Sequence, residues 1–110
     1  MNSPTFDKIL EPVTSYRSKT KLYDCYSIAD KKNQKTLEEL FKVTFAVAKT
    51  DYEYLIELVM VLKYRLWYWH TNRPESPYVS TYATYYNKVS EWAAENLEGE
   101  ELRYYFSVSD

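Results

Sequence analysis

The chain has 110 residues, 45% apolar and 27% charged, with 13 tyrosines and 3 tryptophans against one glycine, one histidine and one cysteine. That length makes one domain with one real core. A formal charge of -2 argues neither for broad nucleic-acid affinity nor for an acidic mimic of DNA, a lone cysteine excludes an internal disulfide, and a lone glycine excludes a glycine-rich phosphate loop.

Residues 1–35 carry seven Lys/Arg against four acids, whereas residues 73–110 carry Arg73, Lys88 and Arg103 against seven acids. A basic front and an acidic back can attract within one molecule or between two, although such runs are most often solvated surface. No basic start, apolar run and small-residue cleavage site opens the chain, so no signal peptide is read. The longest apolar stretch, Leu58 to Leu62, is far too short to cross a bilayer. A cytoplasmic protein with no membrane partner is the expectation.

Residues 1–35 show no sustained period, and Pro4 and Pro12 interrupt helix. Lys21 to Ile28 alternates in part, with Leu22, Asp24, Tyr26 and Ile28 set against Tyr23, Cys25 and Ser27. This reads as an extended arm or a short strand. Asp30 to Lys35 reads as a polar loop.

Helix is expected from Thr36, where Thr36-Leu37-Glu38-Glu39 has the form of a capping box. Leu37, Leu40, Phe41, Thr44, Val47 and Ala48 then keep one apolar stripe. Thr50-Asp51-Tyr52-Glu53 is a second such box, so a new helix is placed from Asp51 to Thr71. A single bent helix over 36–71 would satisfy the same pattern. Leu55, Leu58, Val59, Leu62, Leu66 and Trp69 form one stripe of the central segment, and Ile56, Met60 and Trp67 a second. A helix apolar on two sides belongs in the middle of a bundle. Ser76 then suits an N-cap and Pro77 the first helical position. Tyr78, Tyr82, Tyr85, Val89 and Trp92 make the inner face of a third helix ending near Glu98. Gly99 falls where a left-handed cap is expected. Glu100 to Phe106 reads as a last helical turn or a short strand.

The expected fold is therefore mostly α. It is a small three-helix bundle (36–49, 51–71, 76–98) with an extended N-terminal arm and a short C-terminal helical turn or strand.

Residues for chemistry are scarce. Cys25 and His70 are the sole cysteine and histidine, and nothing in their spacing pairs them as nucleophile and base. Glu53 and Glu57 share a helical face, as do Glu91 and Glu95, but no histidine follows a glutamate at the spacing a carboxylate-bridged metal site wants. No catalytic residue, metal or cofactor is expected.

The one dense constellation is Tyr64, Arg65, Trp67, Tyr68, Trp69, His70, Asn72 and Arg73. Trp, Tyr and Arg are enriched at interface hot spots, and the same types stack on bases in single-stranded nucleic-acid sites. The tryptophans also suit a core, since each buries a large area. Tyr64, Arg65 and Tyr68 fall on the polar face, where exposure is expected. The tyrosine face of the third helix, with Tyr82 and Tyr86, is suited to closing against a second copy, because a tyrosine is apolar at one end and hydrogen-bonds at the other. The candidate contact residues are thus Tyr64, Arg65, Tyr68, His70, Arg73, Tyr82 and Tyr86. They suit a non-enzymatic interaction module with a protein partner or a second copy of the chain. A nucleic-acid accessory protein using the basic arm is the second reading, and a tyrosine-lined small-molecule or catalytic pocket the third. Small size, aromatic load and the lack of catalytic motifs suit an accessory protein of a phage or mobile element, a likeness of type that no motif carries.

Overall fold

The computed structural model describes residues 19–110. They form five helices: α1 (Lys19–Asp30), α2 (Gln34–Ala48), α3 (Tyr52–Asn72), α4 (Pro77–Asn96) and α5 (Gly99–Ser109). No strand occurs among the described residues. The mostly helical fold is borne out. Pro4, Pro12 and the basic residues Lys8 and Arg17 lie outside the described residues.

The segment expected as an arm or strand is instead a helix, α1. Leu22, Cys25, Tyr26 and Ala29 are all buried. Their spacing of three, one and three is the helical one. The apparent alternation counts Asp24 and Ile28 as inward, yet Asp24 is exposed and Ile28 is 48% exposed. The C-terminal segment likewise forms a full helix, α5, anchored by buried Tyr105.

The helix starts follow from their caps. At α2 the cap is Asn33, whose Oδ1 accepts from the Thr36 backbone N–H at 2.8 Å, so the start lies before the expected Thr36 box. Asparagine is as good a cap as any residue, and it leaves Thr36 in the first turn. At α3, Asp51 Oδ1 accepts from the Tyr54 N–H at 3.2 Å, which ends the continuity between Leu37 and Trp69 and makes two helices. At α4, Ser76 Oγ accepts from the Tyr78 N–H at 3.1 Å with Pro77 behind it, as the sequence predicts. Gly99 has φ +62°, in the left-handed region, but it opens α5 rather than capping α4. The two residues between α4 and α5, Leu97 and Glu98, are both extended.

Helix α3 packs against all four of the others, as its two apolar sides require. Leu55, Leu58, Val59 and Leu62 are fully buried along it. Each such side chain contributes roughly 1.5–3 kcal/mol on leaving water. The core is rich in tyrosine, and the hydroxyls are satisfied in pairs. Tyr26 Oη lies 2.6 Å from Thr44 Oγ1, which itself donates to Leu40 O at 2.9 Å. Tyr105 Oη lies 2.8 Å from Ser90 Oγ. Tyr52 donates to Glu101 O at 2.8 Å, and Tyr86 donates to Ser109 O, which ties α5 to α3 and α4. Most of the buried phenol tips thus meet a partner, as burial of a polar group requires.

Candidate functional site

The expected contact residues divide into two groups that face opposite ways. Neighbouring helical residues are about 100° apart, so Tyr64 and Arg65 cannot share a face. Tyr64 points outward and is 51% exposed, while Arg65 points inward and is 2% exposed. The expectation that Arg65 lies on the surface is therefore corrected. Tyr82 is also fully buried and is not a surface residue. Tyr68 and Tyr86 are half-buried, and His70 and Arg73 are exposed at the end of α3.

Arg65 and Tyr82 meet in a buried polar cluster around Asp30, the last residue of α1. Arg65 Nε donates to Asp30 Oδ2 at 2.9 Å and Nη2 to Oδ1 at 3.0 Å. Tyr82 Oη donates to Oδ2 at 2.7 Å and Trp69 Nε1 to the same oxygen at 3.0 Å. The remaining guanidinium nitrogen, Nη1, donates to Tyr23 Oη at 3.1 Å. The Tyr68 ring lies 4.3 Å from Arg65 Cζ, and Tyr78 packs on the Trp69 indole at 4.9 Å between centroids. Bidentate pairing with extra donors is what a desolvated ion pair requires.

The electrostatics follow from this geometry. Burial alone would lower the Arg65 pKa, but its hydrogen bonds to Tyr23 and Asp30 and the Asp30 charge outweigh that and raise it. Burial, then the adjacent Asp30 carboxylate, push Tyr82 well above the usual phenol range. The guanidinium thus stays charged and the phenol stays a donor. Asp30 has about four acceptor sites and is met by four donors, so its capacity is spent on clamping α1, α3 and α4 together. The sequence gives this cluster no sign, because Arg65 follows Lys63 and Tyr64 and reads as part of the polar face. Asp30 was expected in a polar loop, and nothing in the sequence pairs it with Arg65.

The other residues considered for chemistry are apart. Cys25 is buried in α1, and its thiol is pushed up to about 11 by burial and then by the Asp24 charge. It lies near Tyr54 in the first turn of α3, whereas His70 is in the last turn. Sixteen residues of helix separate those two positions, about 24 Å at 1.5 Å per residue. Among the described residues no group of three or more His, Cys, Asp or Glu is placed to hold a metal ion.

The outward strip of α3 runs Glu53, Glu57, Met60, Tyr64, Trp67, at spacings of four, three, four and three. Trp67 is 64% exposed, so the second apolar stripe expected for α3 is buried at Ile56 and open to solvent at Trp67. Trp69 is half-buried, with its indole N–H spent on Asp30. Tyr104 of α5, 54% exposed, flanks the start of the strip beside Tyr52.

No family model, no curated protein and no solved structure matches the chain.

No helix among the described residues is long and apolar enough to cross a membrane. Trp67 is the most exposed large aromatic among the described residues. Trp67 and Tyr64 lie one turn apart, and both keep most of their area in water. Such a pair brings wide contact area at little entropic cost, since each ring has two side-chain torsions.

Proposed function

We propose that this protein is a non-catalytic interaction module that binds a protein partner through the outward strip of α3. The observation that carries the reading is Trp67, exposed to 64% on the longest helix, with Tyr64 one turn before it. Tryptophan and tyrosine head the residues that dominate interface energies. Half-buried Met60 extends the strip with an adaptable side chain. The acidic end at Glu53 and Glu57 gives it direction. Beneath it, the Asp30–Arg65 clamp and the leucine core hold α3 rigid, so binding need not pay to order the scaffold. His70 and Arg73 lie at its far end as rim residues.

A photoreactive residue in place of Trp67, introduced in the native host, tests this. One dominant protein adduct is expected, either a partner or a second copy, and it should weaken severalfold when Tyr64→Ala is added. The same residue placed at exposed Glu95 serves as the control. A pattern at Trp67 no different from that at Glu95 would overturn the reading.

A further inference from the structure

Helices α2 and α4 touch only sparingly, and a groove runs between them on a part of the molecule that shares no residue with the α3 strip. It comprises two adjoining depressions of about 530 and 280 Å³ that share Glu38, Tyr85 and Lys88. The floor is aromatic but mostly covered, with Phe41 5% and Tyr85 8% exposed, and its open apolar area lies at Phe45 and Ala46. Phe41 stacks flat on Tyr85, with ring centroids 4.1 Å apart and planes 6° from parallel, and Phe45 stacks on Phe41 at 5.2 Å. The walls are basic: Lys35, Lys42 and Lys49 line it from α2 and Lys88 from α4, and all four are exposed. Lys49 Nζ sits 4.3 Å over the Phe45 ring. The one acid in the lining is Glu38. Four cations around one anion stand out on a chain whose formal charge is -2.

We propose that this groove docks an acidic amphipathic helix of a partner protein. Three observations select that occupant. First, the lysines of α2 recur every seventh residue. Seven residues of helix rise about 10.5 Å, so Lys35 to Lys49 spans about 21 Å. A helix laid alongside presents its own facing positions with the same seven-residue repeat, so carboxylates at that interval meet each lysine in turn. An extended peptide or a phosphodiester chain has a much shorter repeat and does not share this register. Second, Glu38 lies between Lys35 and Lys42. It repels a continuous polyanion but accepts a helix that carries a cation or an amide at one position. Third, half-buried Phe45 and exposed Ala46 leave a short apolar patch beside Lys42 and Lys49 for apolar residues set between the carboxylates, in the manner of a helix in a groove. Ser80, Thr81 and Thr84 add hydroxyls along the α4 wall, and Thr81 donates to Gln34 Oε1 at 3.0 Å, which closes one end.

The inference goes beyond the α3 strip and rests on different helices, so either can fail without the other. The probe is a labelled 21-residue helical peptide with glutamate at every seventh position and leucines between. Its comparison is an isomer of equal composition with the glutamates moved to the opposite face. Fluorescence anisotropy at moderate salt should show the first peptide binding at least tenfold more tightly. Paired Lys42→Glu and Lys88→Glu changes should lower its affinity at least tenfold with the circular dichroism spectrum unchanged. A peptide with lysine in place of only the central glutamate, the one that faces position 42, should regain binding to that variant. Trp67→Ala should leave all of these affinities within twofold. Failure of the acidic peptide to bind, equal binding of the two isomers, or no response to the charge reversal would each overturn the proposal. So would tighter binding of a single-stranded oligonucleotide that is lost on the same reversal, since it would assign the lysines to phosphates.

Discussion

Arg65 and Asp30 form a bidentate ion pair with both side chains essentially out of solvent, 2% and 0% exposed. The pair joins the end of α1 to the last third of α3, and Tyr82 brings in α4. Its consequence is asymmetric. Removing one partner strands a desolvated charge, whereas removing both strands none. Arg65→Leu or Asp30→Leu alone should cost about 3–5 kcal/mol in urea unfolding. The double variant Asp30→Leu with Arg65→Met should recover the part owed to the stranded charge but not the rest, because Tyr82 Oη and Trp69 Nε1 lose their acceptor. A double variant as unstable as either single one would contradict the account.

Tyr82 tests the same cluster from its third side. Tyr82→Phe keeps the ring and deletes the hydroxyl that donates to Asp30 at 2.7 Å. A hydrogen bond to a charged group contributes about 1.5–3 kcal/mol, so a loss in that range is expected. Tyr64→Phe, at an exposed hydroxyl, should change stability by less than about 0.5 kcal/mol.

Alkaline unfolding should follow from the buried phenols and the thiol. Burial, the leading cause, raises Tyr85 and Tyr105 from 10.0 to about 12, and raises Cys25 from 9.0 to about 11. Tyr26 and Tyr82 are raised well above 10.0, again mainly by burial. In each case the fold favours the protonated form. The stabilisation is complete below the unfolded-state pKa and is lost as pH rises through the folded-state value. The unfolding free energy from urea titration should therefore hold from pH 7 to 9 and fall from about pH 9 onward, by on the order of 1 kcal/mol per pH unit for each group inside its window. Tyrosinate absorbance should appear in two phases, exposed phenols first and buried ones with unfolding. A single phase would show that the core tyrosines are open to water.

How far the sequence discloses this fold depends on where the strongest local signals lie. Helices α2 to α4 are legible because each has a cap residue and a long apolar stripe, and Ser76-Pro77 marks its start to the residue. Helix α1 is hidden because Asp30 and Tyr23 use polar groups inward and Ile28 turns an apolar group outward, which imitates the period of a strand. The Asp30 cluster is hidden for a related reason. An ion pair that joins residues 35 positions apart leaves no mark at either position alone. Trp67 and Trp69 look alike in sequence, and their different fates follow from the 200° between them on the helix. That rotation puts one beside Asp30 and the other in solvent.

The neighbours Tyr64 and Tyr68 should separate cleanly in a final pair of variants. Both lie on the side of α3 that the sequence reads as polar, which predicts that either could be lost without cost to the fold. Tyr64 meets that description at 51% exposure. Tyr68 does not, because its ring covers the Arg65 guanidinium at 4.3 Å and meets Trp69 edge-on at 5.6 Å. It is one wall of the ionic cluster. A cation over an aromatic face contributes about 0.5–2 kcal/mol, the upper end applying when the cation is desolvated as Arg65 is. Tyr68→Ala should therefore lower stability by about 1–2 kcal/mol, and Tyr68→Leu by nearly as much, since leucine fills space without a π face. Tyr64→Ala should leave the unfolding midpoint almost unchanged. If the α3 strip binds a partner, Tyr64→Ala and Trp67→Ala should each weaken that binding by more than about 1 kcal/mol, while Tyr68→Ala weakens it only as far as it loosens the cluster. Unfolding curves and binding isotherms on the three variants decide this. A large stability loss in Tyr64→Ala, or none in Tyr68→Ala, would reverse the assignment of the two rings.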